Sequence, residues 1–149
     1  MAKLPKSVLV LVHTAEAVLL LERLQPEGFW QSVTGSLEPG EDWESAARRE
    51  LLEETGFSAQ GLVDTGVRNR FPIRPPWRER YPADVEDNEE HVFTLALAEP
   101  LDPRLQPTEH RAFVWLAPLE AARRCGSATN RDAILRQFHL VLDGRSLAS

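Results

Sequence analysis

The sequence predicts an α/β fold in which a mixed β-sheet is flanked by helices. Short aliphatic runs of strand length fill much of the first two thirds of the chain, with one helix among them and further helical segments near the C-terminus. This order is typical of a domain built from layers of sheet and helix. The chain has 149 residues, of which 42% are hydrophobic, and we therefore expect residues 1–149 to form a single domain.

Three short strands are predicted at the start of the chain. Val8 to Val12 and Ala17 to Leu21 are aliphatic runs separated by polar residues 13–16, which predicts two strands joined by a tight hairpin. Phe29 to Val33 predicts a third strand, because the glycines and proline of residues 35–40 mark the loop that follows it.

A helix is predicted from Asp42 to Thr55. The segment contains neither Pro nor Gly, its first turn is acidic, and Gly56 stands where a left-handed C-cap residue is expected. At 100° per residue, Glu50, Glu53 and Glu54 lie within an arc of roughly 100° on the helix surface. The helix therefore presents three neighbouring carboxylates on one side.

The second half of the chain predicts three more strands and two helical segments. The strands are Phe57 to Val67, Val92 to Ala98 and Ala112 to Leu116, and the helical segments begin at Pro118 and extend from Asn130 to Leu142. An apolar stripe on the last segment is formed by Ile134, Leu135, Phe138 and Val141.

Residues 71–90 are rich in Pro and charge and too long for an ordinary connection, which indicates either a functional loop or a mobile one. Arginine and aromatic residues together can hold a flat heterocycle and a phosphate chain. The residues of this kind are Arg74, Trp77, Arg78, Arg80 and Tyr81. The alternative is a charge-compensated surface loop.

Composition narrows the range of partners. The net charge of -6 argues against a nucleic-acid or anionic-membrane surface, because both require concentrated Lys and Arg. Cys125 is the one cysteine and cannot form an intramolecular disulfide, and the first residues do not resemble a signal peptide. No apolar run approaches the roughly 20 residues that span a bilayer. These features favour a cytoplasmic protein with a small-molecule ligand, and they do not indicate an oligomeric state.

The glutamates of the predicted helix have two interpretations, a solvated acidic face or a metal site. A solvated face usually carries basic residues at the pairing positions, whereas Glu50 lies four residues before Glu54. Arg49 and Glu53 form an opposite-charge pair, but in the less favourable order. Oxygen ligands at this density suit Mg²⁺ or Mn²⁺. Gly35 and the turn that follows it also allow a loop to approach a ligand closely.

The segment from Gly35 to Phe57 resembles the signature of the Nudix hydrolase family. That signature reads Gly, five residues, Glu, seven residues, Arg-Glu-aliphatic, one residue, Glu-Glu, one residue, Gly-apolar. Every specified position is filled, by Gly35, Glu41, Arg49, Glu50, Leu51, Glu53, Glu54, Gly56 and Phe57. The resemblance implies a Nudix-type α/β/α sandwich around a mixed β-sheet, and an enzyme that cleaves a pyrophosphate bond by attack of water.

The same resemblance implies roles for individual residues. Glu50, Glu53 and Glu54 would bind a divalent metal, with Mg²⁺ expected and Mn²⁺ as the alternative. Glu53, Glu54 and Arg49 would be the catalytic residues, with Arg49 holding the carboxylates in place. The general base would be Glu53 or Glu109, and no residue has the setting of a covalent nucleophile.

A further likeness extends over nearly the whole chain. Residues 29–36, 108–110 and 127–131 resemble the bacterial dihydroneopterin triphosphate pyrophosphatase subgroup of this family. The likeness implies hydrolysis of dihydroneopterin triphosphate to dihydroneopterin monophosphate and pyrophosphate, and it adds Glu109 to the metal site. The substrate contacts that it implies are Lys3, Arg23, Thr34, Phe71, Pro72, Ile73, Arg74 and Ser127.

Alternatives stay open at this level. The enzyme could act on nucleoside triphosphates more broadly, or the domain could bind a ligand without hydrolysing it. Arg23 could be a surface charge and Glu109 a solvated one, and Trp30 is predicted to pack in the core. The histidines show no metal-ligand spacing and are predicted not to bind metal; they are His13, His91, His110 and His139.

Overall fold

The structure, a computed structural model, describes residues 3–75 and 77–142. Its strands are β1 (Lys6–His13), β2 (Val18–Arg23), β3 (Trp30–Gln31), β4 (Val33–Ser36), β5 (Val63–Pro72), β6 (Asp87–Ala96) and β7 (His110–Leu116). Its α-helices are α1 (Trp43–Thr55), α2 (Pro118–Arg124) and α3 (Ala128–Gln137), and a 3₁₀ turn covers Arg78–Arg80. In the described residues no helix is long and apolar enough to cross a membrane. The α/β class predicted from the sequence is confirmed.

The strands form one mixed sheet with β1 at its centre. The main path is β3-β2-β1-β6-β5, while β4 also pairs with β1 and β7 with β2. Strands β1 and β6 run parallel from the pair Lys6↔Glu89 to the pair His13↔Ala96, and the other pairs are antiparallel. A strand that is covered on both faces consists almost entirely of apolar residues, as the buried run from Val8 to Val12 does.

Successive residues of β1 enter two separate cores. Val8 and Val10 pack in a cluster that contains Leu51 of α1, whereas Leu9 and Leu11 pack in a cluster that contains Ile134 of α3. Because side chains alternate along a strand, helix α1 covers one face of the sheet and α2 and α3 cover the other. This is the predicted α/β/α sandwich.

Helix α1 begins and ends where the sequence predicts. Asp42 is its N-cap and accepts the backbone N–H of Ser45 at 2.7 Å. Gly56 has a φ of 77° and donates its N–H to the carbonyl of Leu52 at 2.9 Å, which ends the helix in a left-handed cap. The two caps fix both ends of the helix that carries Glu50, Glu53 and Glu54.

The prediction of a strand from Phe57 to Val67 is wrong in its position. The backbone of Leu62 bonds to Ala59 in a turn that includes Gly61, at a φ of 90°, so the strand starts at Val63 and continues to Pro72. Phe71 and Pro72 pair with β6, and the predicted loop of residues 71–90 therefore shortens to residues 73–86. These two residues belong to the sheet rather than to the loop.

The last predicted helix is also shorter than expected. It begins at Ala128, after Ser127 accepts the N–H of Asn130 at 3.1 Å, and it ends at Gln137. His139 adopts a φ of 55°, which an α-helix does not allow. Val141 is consequently 50% exposed and is not part of the apolar stripe.

Candidate functional site

Strand β4 and helix α1 approach each other closely at Gly35. A Cβ atom at this residue would overlap the Glu50 carboxylate and would come within 2.7 Å of its Cγ. The φ of Gly35 is not positive, so the glycine is required by the space that it leaves for Glu50 rather than by backbone conformation. The close approach expected from the sequence is present.

Arg49 connects the loop after β4 to the helix. Its guanidinium donates to both oxygens of Glu41, at 2.8 and 2.9 Å, and to the carbonyl of Ser36 at 3.1 Å. Its Nη1 donates to Glu53 at 3.1 Å and lies 3.3 Å from Glu50. The hydrogen bond with Glu41 raises the pKa of Arg49 and lowers that of Glu41. Arg49 therefore fixes the loop and two of the signature carboxylates in one network.

Glu50 and Glu54 are buried carboxylates that lie side by side. Glu54 is 1% exposed, and its Oε1 has no hydrogen-bond partner among the described residues. Burial and the neighbouring Glu50 raise the pKa of Glu54 well above its usual value, and burial raises the pKa of Glu50 to about 7. Two adjacent carboxylates that are both buried need a cation nearby to be stable in their charged form.

The loop before β7 brings two further groups to Glu54. Ligand atoms of Glu54, Glu109 and His110 all lie within 4.8 Å of one another. Glu109 is exposed, whereas His110 is 2% exposed with its Nε2 at 3.9 Å from Glu54 Oε1. Burial, and then the charge of Arg23, lower the pKa of His110 to about 4, so its ring is neutral at pH 7. A neutral imidazole is the form that binds metal.

A cavity of about 370 Å³ lies beside this cluster, a size typical of small-ligand sites. Thr34, Gly35 and Ser36 line it, and this is the segment that approaches Glu50. The cavity is also lined by all eight residues for which substrate contacts were predicted, namely Lys3, Arg23, Thr34, Phe71, Pro72, Ile73, Arg74 and Ser127. Their contact with substrate stays a prediction, but the fold brings them to one place.

A family model supplies the deciding comparison. The model described as the NUDIX domain matches residues 3–138. The chain belongs to the Nudix family. The membership agrees with the sandwich fold and with the complete signature on α1, and it makes the protein a hydrolase of pyrophosphate bonds.

Relatives described as dihydroneopterin triphosphate diphosphatases resemble this Nudix chain over most of its length. The dihydroneopterin triphosphate diphosphatase of Escherichia coli strain K12 is 39% identical over 138 residues, which cover 89% of this chain and 91% of the relative. The protein of the same description from Haemophilus influenzae is 33% identical, with 87% and 84% covered. The structure of the E. coli dihydroneopterin triphosphate pyrophosphohydrolase matches with a TM-score of 0.86 at 37% identity, covering 91% of this chain and 96% of that one.

The Nudix carboxylates of this chain fit a divalent metal. Nudix enzymes generally use such ions, and Oε1 of Glu54 is a buried acceptor without a partner in the described residues. Glu109 and His110 add an oxygen and a nitrogen ligand within reach of it. Glu50 and Glu53 are not part of this three-residue group. Glu50 lies beside Glu54, whereas the Glu53 side chain is 49% exposed and binds Arg49.

Lys3 and Arg23 bring positive charge to the space between the cavity and the carboxylates. Both side chains line the cavity, and both interact electrostatically with Glu109. Burial, and then the charge of Arg80, lower the pKa of Lys3 and of Arg23. The backbone N–H of Lys3 also donates to the carbonyl of Arg80 at 2.8 Å, which joins Lys3 to the 3₁₀ turn.

The loop of residues 73–86 supplies part of the cavity wall. Arg74, Trp77 and Tyr81 line the cavity, and the Trp77 ring packs edge-on against Phe29 at 5.3 Å. Arg78 instead donates to backbone carbonyls within the loop. Part of this loop therefore lies at the cavity, and its role in binding stays a prediction.

Sequence spacing identified neither His110, beside Glu54 and Glu109, nor two residues that line the cavity, Asn88 and Glu90. His110 is 56 residues from Glu54 in the chain, and only the pairing of β2 with β7 brings it near the helix. Trp30, in contrast, packs against the core under α2 and α3 as the sequence predicts.

Proposed function

We propose that this Nudix protein hydrolyses dihydroneopterin triphosphate to dihydroneopterin monophosphate and pyrophosphate, with Mg²⁺ as the metal. The observation that carries the proposal is the position of one cavity, lined by cations and aromatic rings, beside the carboxylates of the signature helix. Identity of 33–39% with dihydroneopterin triphosphate diphosphatases over most of the chain supports this choice of substrate. The substrate is a small molecule, and we expect the reaction to take place in the cytoplasm.

The acidic residues divide into ligands and positioning groups in this proposal. Glu50, Glu54 and Glu109 hold the metal, and the His110 ring, beside Glu54 and Glu109, offers a nitrogen ligand. Glu53 contributes at the exposed side of the site. When bound, the cation neutralises phosphate charge and lowers the pKa of a water ligand. Arg49 keeps Glu41 and Glu53 in place through its guanidinium.

The cations of the cavity bind the triphosphate in this proposal. Lys3 interacts electrostatically with Glu50 and Glu109, and Arg23 with Glu54 and Glu109. Phosphates held by these cations therefore adjoin the carboxylates. Hydrolysis of a phosphoanhydride depends mainly on positioning and electrostatic stabilisation, and no covalent nucleophile is required. Thr34 and Ser127, which both line the cavity, supply hydroxyl groups for the rest of the substrate.

Glu53 and Glu109 are the two candidates for the general base. Glu53 is engaged by Arg49, whereas Glu109 is exposed beside Glu54. The pH–rate profiles of Glu53→Gln and Glu109→Gln separate them, because loss of the base removes the acidic limb of the profile while loss of a metal ligand raises the Mg²⁺ concentration required.

A substrate panel tests the proposed function. We expect kcat/KM for pyrophosphate release from dihydroneopterin triphosphate to exceed that from dGTP, dATP and oxidised purine nucleoside triphosphates. A higher kcat/KM for any of these nucleotides would overturn the choice of substrate and favour a general nucleotide pyrophosphohydrolase. Tight binding of dihydroneopterin triphosphate without turnover, at any Mg²⁺ or Mn²⁺ concentration, would instead indicate a ligand-binding module.

A further inference from the structure

Two buried polar side chains of β6 line the cavity but have no part in the hydrolysis described above. Asn88 is 3% exposed and Glu90 is 4% exposed. The two residues are separated by one position on the strand, so their side chains project from the same face of the sheet. Polar groups on the floor of a cavity are where a ligand is recognised by hydrogen bonds.

Asn88 presents an acceptor that the described residues leave unpaired. Its Nδ2 donates to the hydroxyl of Ser7 at 2.8 Å, and this bond orients the amide group. Its Oδ1 has no hydrogen-bond partner in the part of the chain that the structure describes. Buried polar atoms nearly always have a partner, so an acceptor here indicates a donor on the ligand.

Glu90 presents two acceptor oxygens, and the hydrogen-bond partners that the described residues give it are the neutral side chains of Asn69 and Thr129. Its Oε1 accepts from Nδ2 of Asn69 at 3.1 Å, and the Thr129 side chain also favours the charged form of the carboxylate. Burial is the largest effect on this group and raises its pKa. A carboxylate has about four lone-pair sites, so acceptor capacity remains for donors in the cavity.

The sheet register separates this pair from the carboxylates on α1. Ser7 of β1 is in register with Ser36 of β4 on one side and with Glu90 of β6 on the other. Two strand spacings therefore place the backbone of residue 90 roughly 10 Å from that of residue 36. Phe71 is opposite Asn88 on β5, and Phe29 and Trp77 form other parts of the wall. Aromatic walls and a polar floor suit a flat heterocycle whose phosphates extend toward β4.

We propose that Asn88 and Glu90 recognise the substrate's heterocycle by the edge that carries a ring N–H next to an exocyclic amino group. Pterins and guanine share this 2-amino-4-oxopyrimidine edge. Its adjacent donors match two carboxylate oxygens, and the amide oxygen of Asn88 accepts a further hydrogen bond. Adenine places a ring acceptor next to its amino group, and hypoxanthine lacks the amino group altogether. The inference rests on the proposed function in one respect, that the heterocycle of the substrate lies in this cavity.

The test compares dGTP with dITP, which differ only in the 2-amino group. We expect the wild-type enzyme to hydrolyse dGTP with a kcat/KM roughly tenfold or more above that for dITP. Glu90→Gln keeps the side-chain shape but replaces one acceptor with a donor, and it should reduce this ratio to near one. The matched control is Glu89→Gln. Glu89 precedes Glu90 on β6, and it bonds to His91 rather than lining the cavity. This control should keep the wild-type ratio.

A second variant tests the amide. Asn88→Ala removes the unpaired acceptor and should raise KM for dihydroneopterin triphosphate and for dGTP by roughly tenfold. Because uniform binding is lost rather than transition-state binding, kcat should change little. Thermal unfolding of each variant identifies any effect that comes from loss of the fold.

A wild-type dGTP to dITP ratio near one, or an unchanged ratio in Glu90→Gln, would overturn the inference. The outcome is independent of the proposed substrate. If dihydroneopterin triphosphate is not preferred over nucleotides but the ratio responds to Glu90, the recognition of this edge stands and the proposed function fails. If dihydroneopterin triphosphate is preferred over nucleotides but the ratio does not respond to Glu90→Gln, the proposed function stands and the inference about this edge fails.

Discussion

Replacement of Gly35 by alanine is the sharpest test of how the signature loop positions a carboxylate. The added Cβ would overlap the Glu50 carboxylate and approach its Cγ to 2.7 Å. Rotation of the carboxylate alone cannot relieve this overlap, because Cγ is involved as well. Glu50 is 9% exposed and lies 3.3 Å from Nη1 of Arg49, so the side chain has little space into which to move.

The size of the effect follows from this overlap. Forcing an extra methyl group into a packed site costs about 1–3 kcal/mol. For a chain of this length each kcal/mol lowers Tm by about 2–4 °C, so we expect Gly35→Ala to lower it by roughly 2–12 °C. Displacement of Glu50 by about 1 Å should lower kcat/KM by roughly a hundredfold, since reactive groups must be held closely in place.

A double-mutant cycle measures whether Glu50 is the cause. The three atoms nearest to the added Cβ are Oε2, Cδ and Cγ of Glu50, and Glu50→Ala removes all of them. In the Glu50→Ala background, Gly35→Ala should therefore cost roughly 0.5–3 kcal/mol less unfolding free energy in urea denaturation than in the wild type, because the two changes act on one contact and are coupled. An equal cost in both backgrounds would refute the reasoning and place the strain in the backbone of β4.

Three other changes should give separable results. Arg49→Lys cannot donate to both oxygens of Glu41, and we expect kcat to fall roughly tenfold or more; a wild-type rate would contradict the positioning role. Glu54→Gln should reduce Mg²⁺-dependent turnover by roughly a hundredfold. It should also raise Tm of the metal-free protein, because it removes a buried carboxylate with an unpaired oxygen. Unchanged turnover would exclude Glu54 from the site. Burial raises the pKa of Cys125 to about 11. Its reaction with a disulfide reagent at pH 8 should therefore be roughly tenfold or more slower than that of an exposed thiol, and it should accelerate as the pH rises toward the pKa. Rapid labelling at pH 8 would contradict the burial.

Secondary-structure elements whose limits depend on residues close in the chain were predictable from the sequence. The caps of α1, Asp42 and Gly56, act within one helical turn, and both are present where expected. The apolar run of β1 predicted a buried strand for the same reason. Phe57 to Val67 was misplaced because the turn at Ala59 to Leu62 delays the strand, and pairing with β6 then extends it to Pro72.

In the candidate site, too, the residues close in the chain were predictable from the sequence and the distant ones were not. By itself the sequence determined the segment that carries the candidate metal ligands, because Gly35, Arg49, Glu50 and Glu54 are joined by one turn and one helix whose local geometry fixes their spacing. Only the tertiary structure decided which distant groups meet them. His110 reaches Glu54 through the pairing of β7 with β2, and the cavity floor on β6 exists because that strand runs parallel to β1. Strand pairing depends on the burial of whole faces rather than on adjacent residues, which is why no local pattern in the chain revealed these contacts.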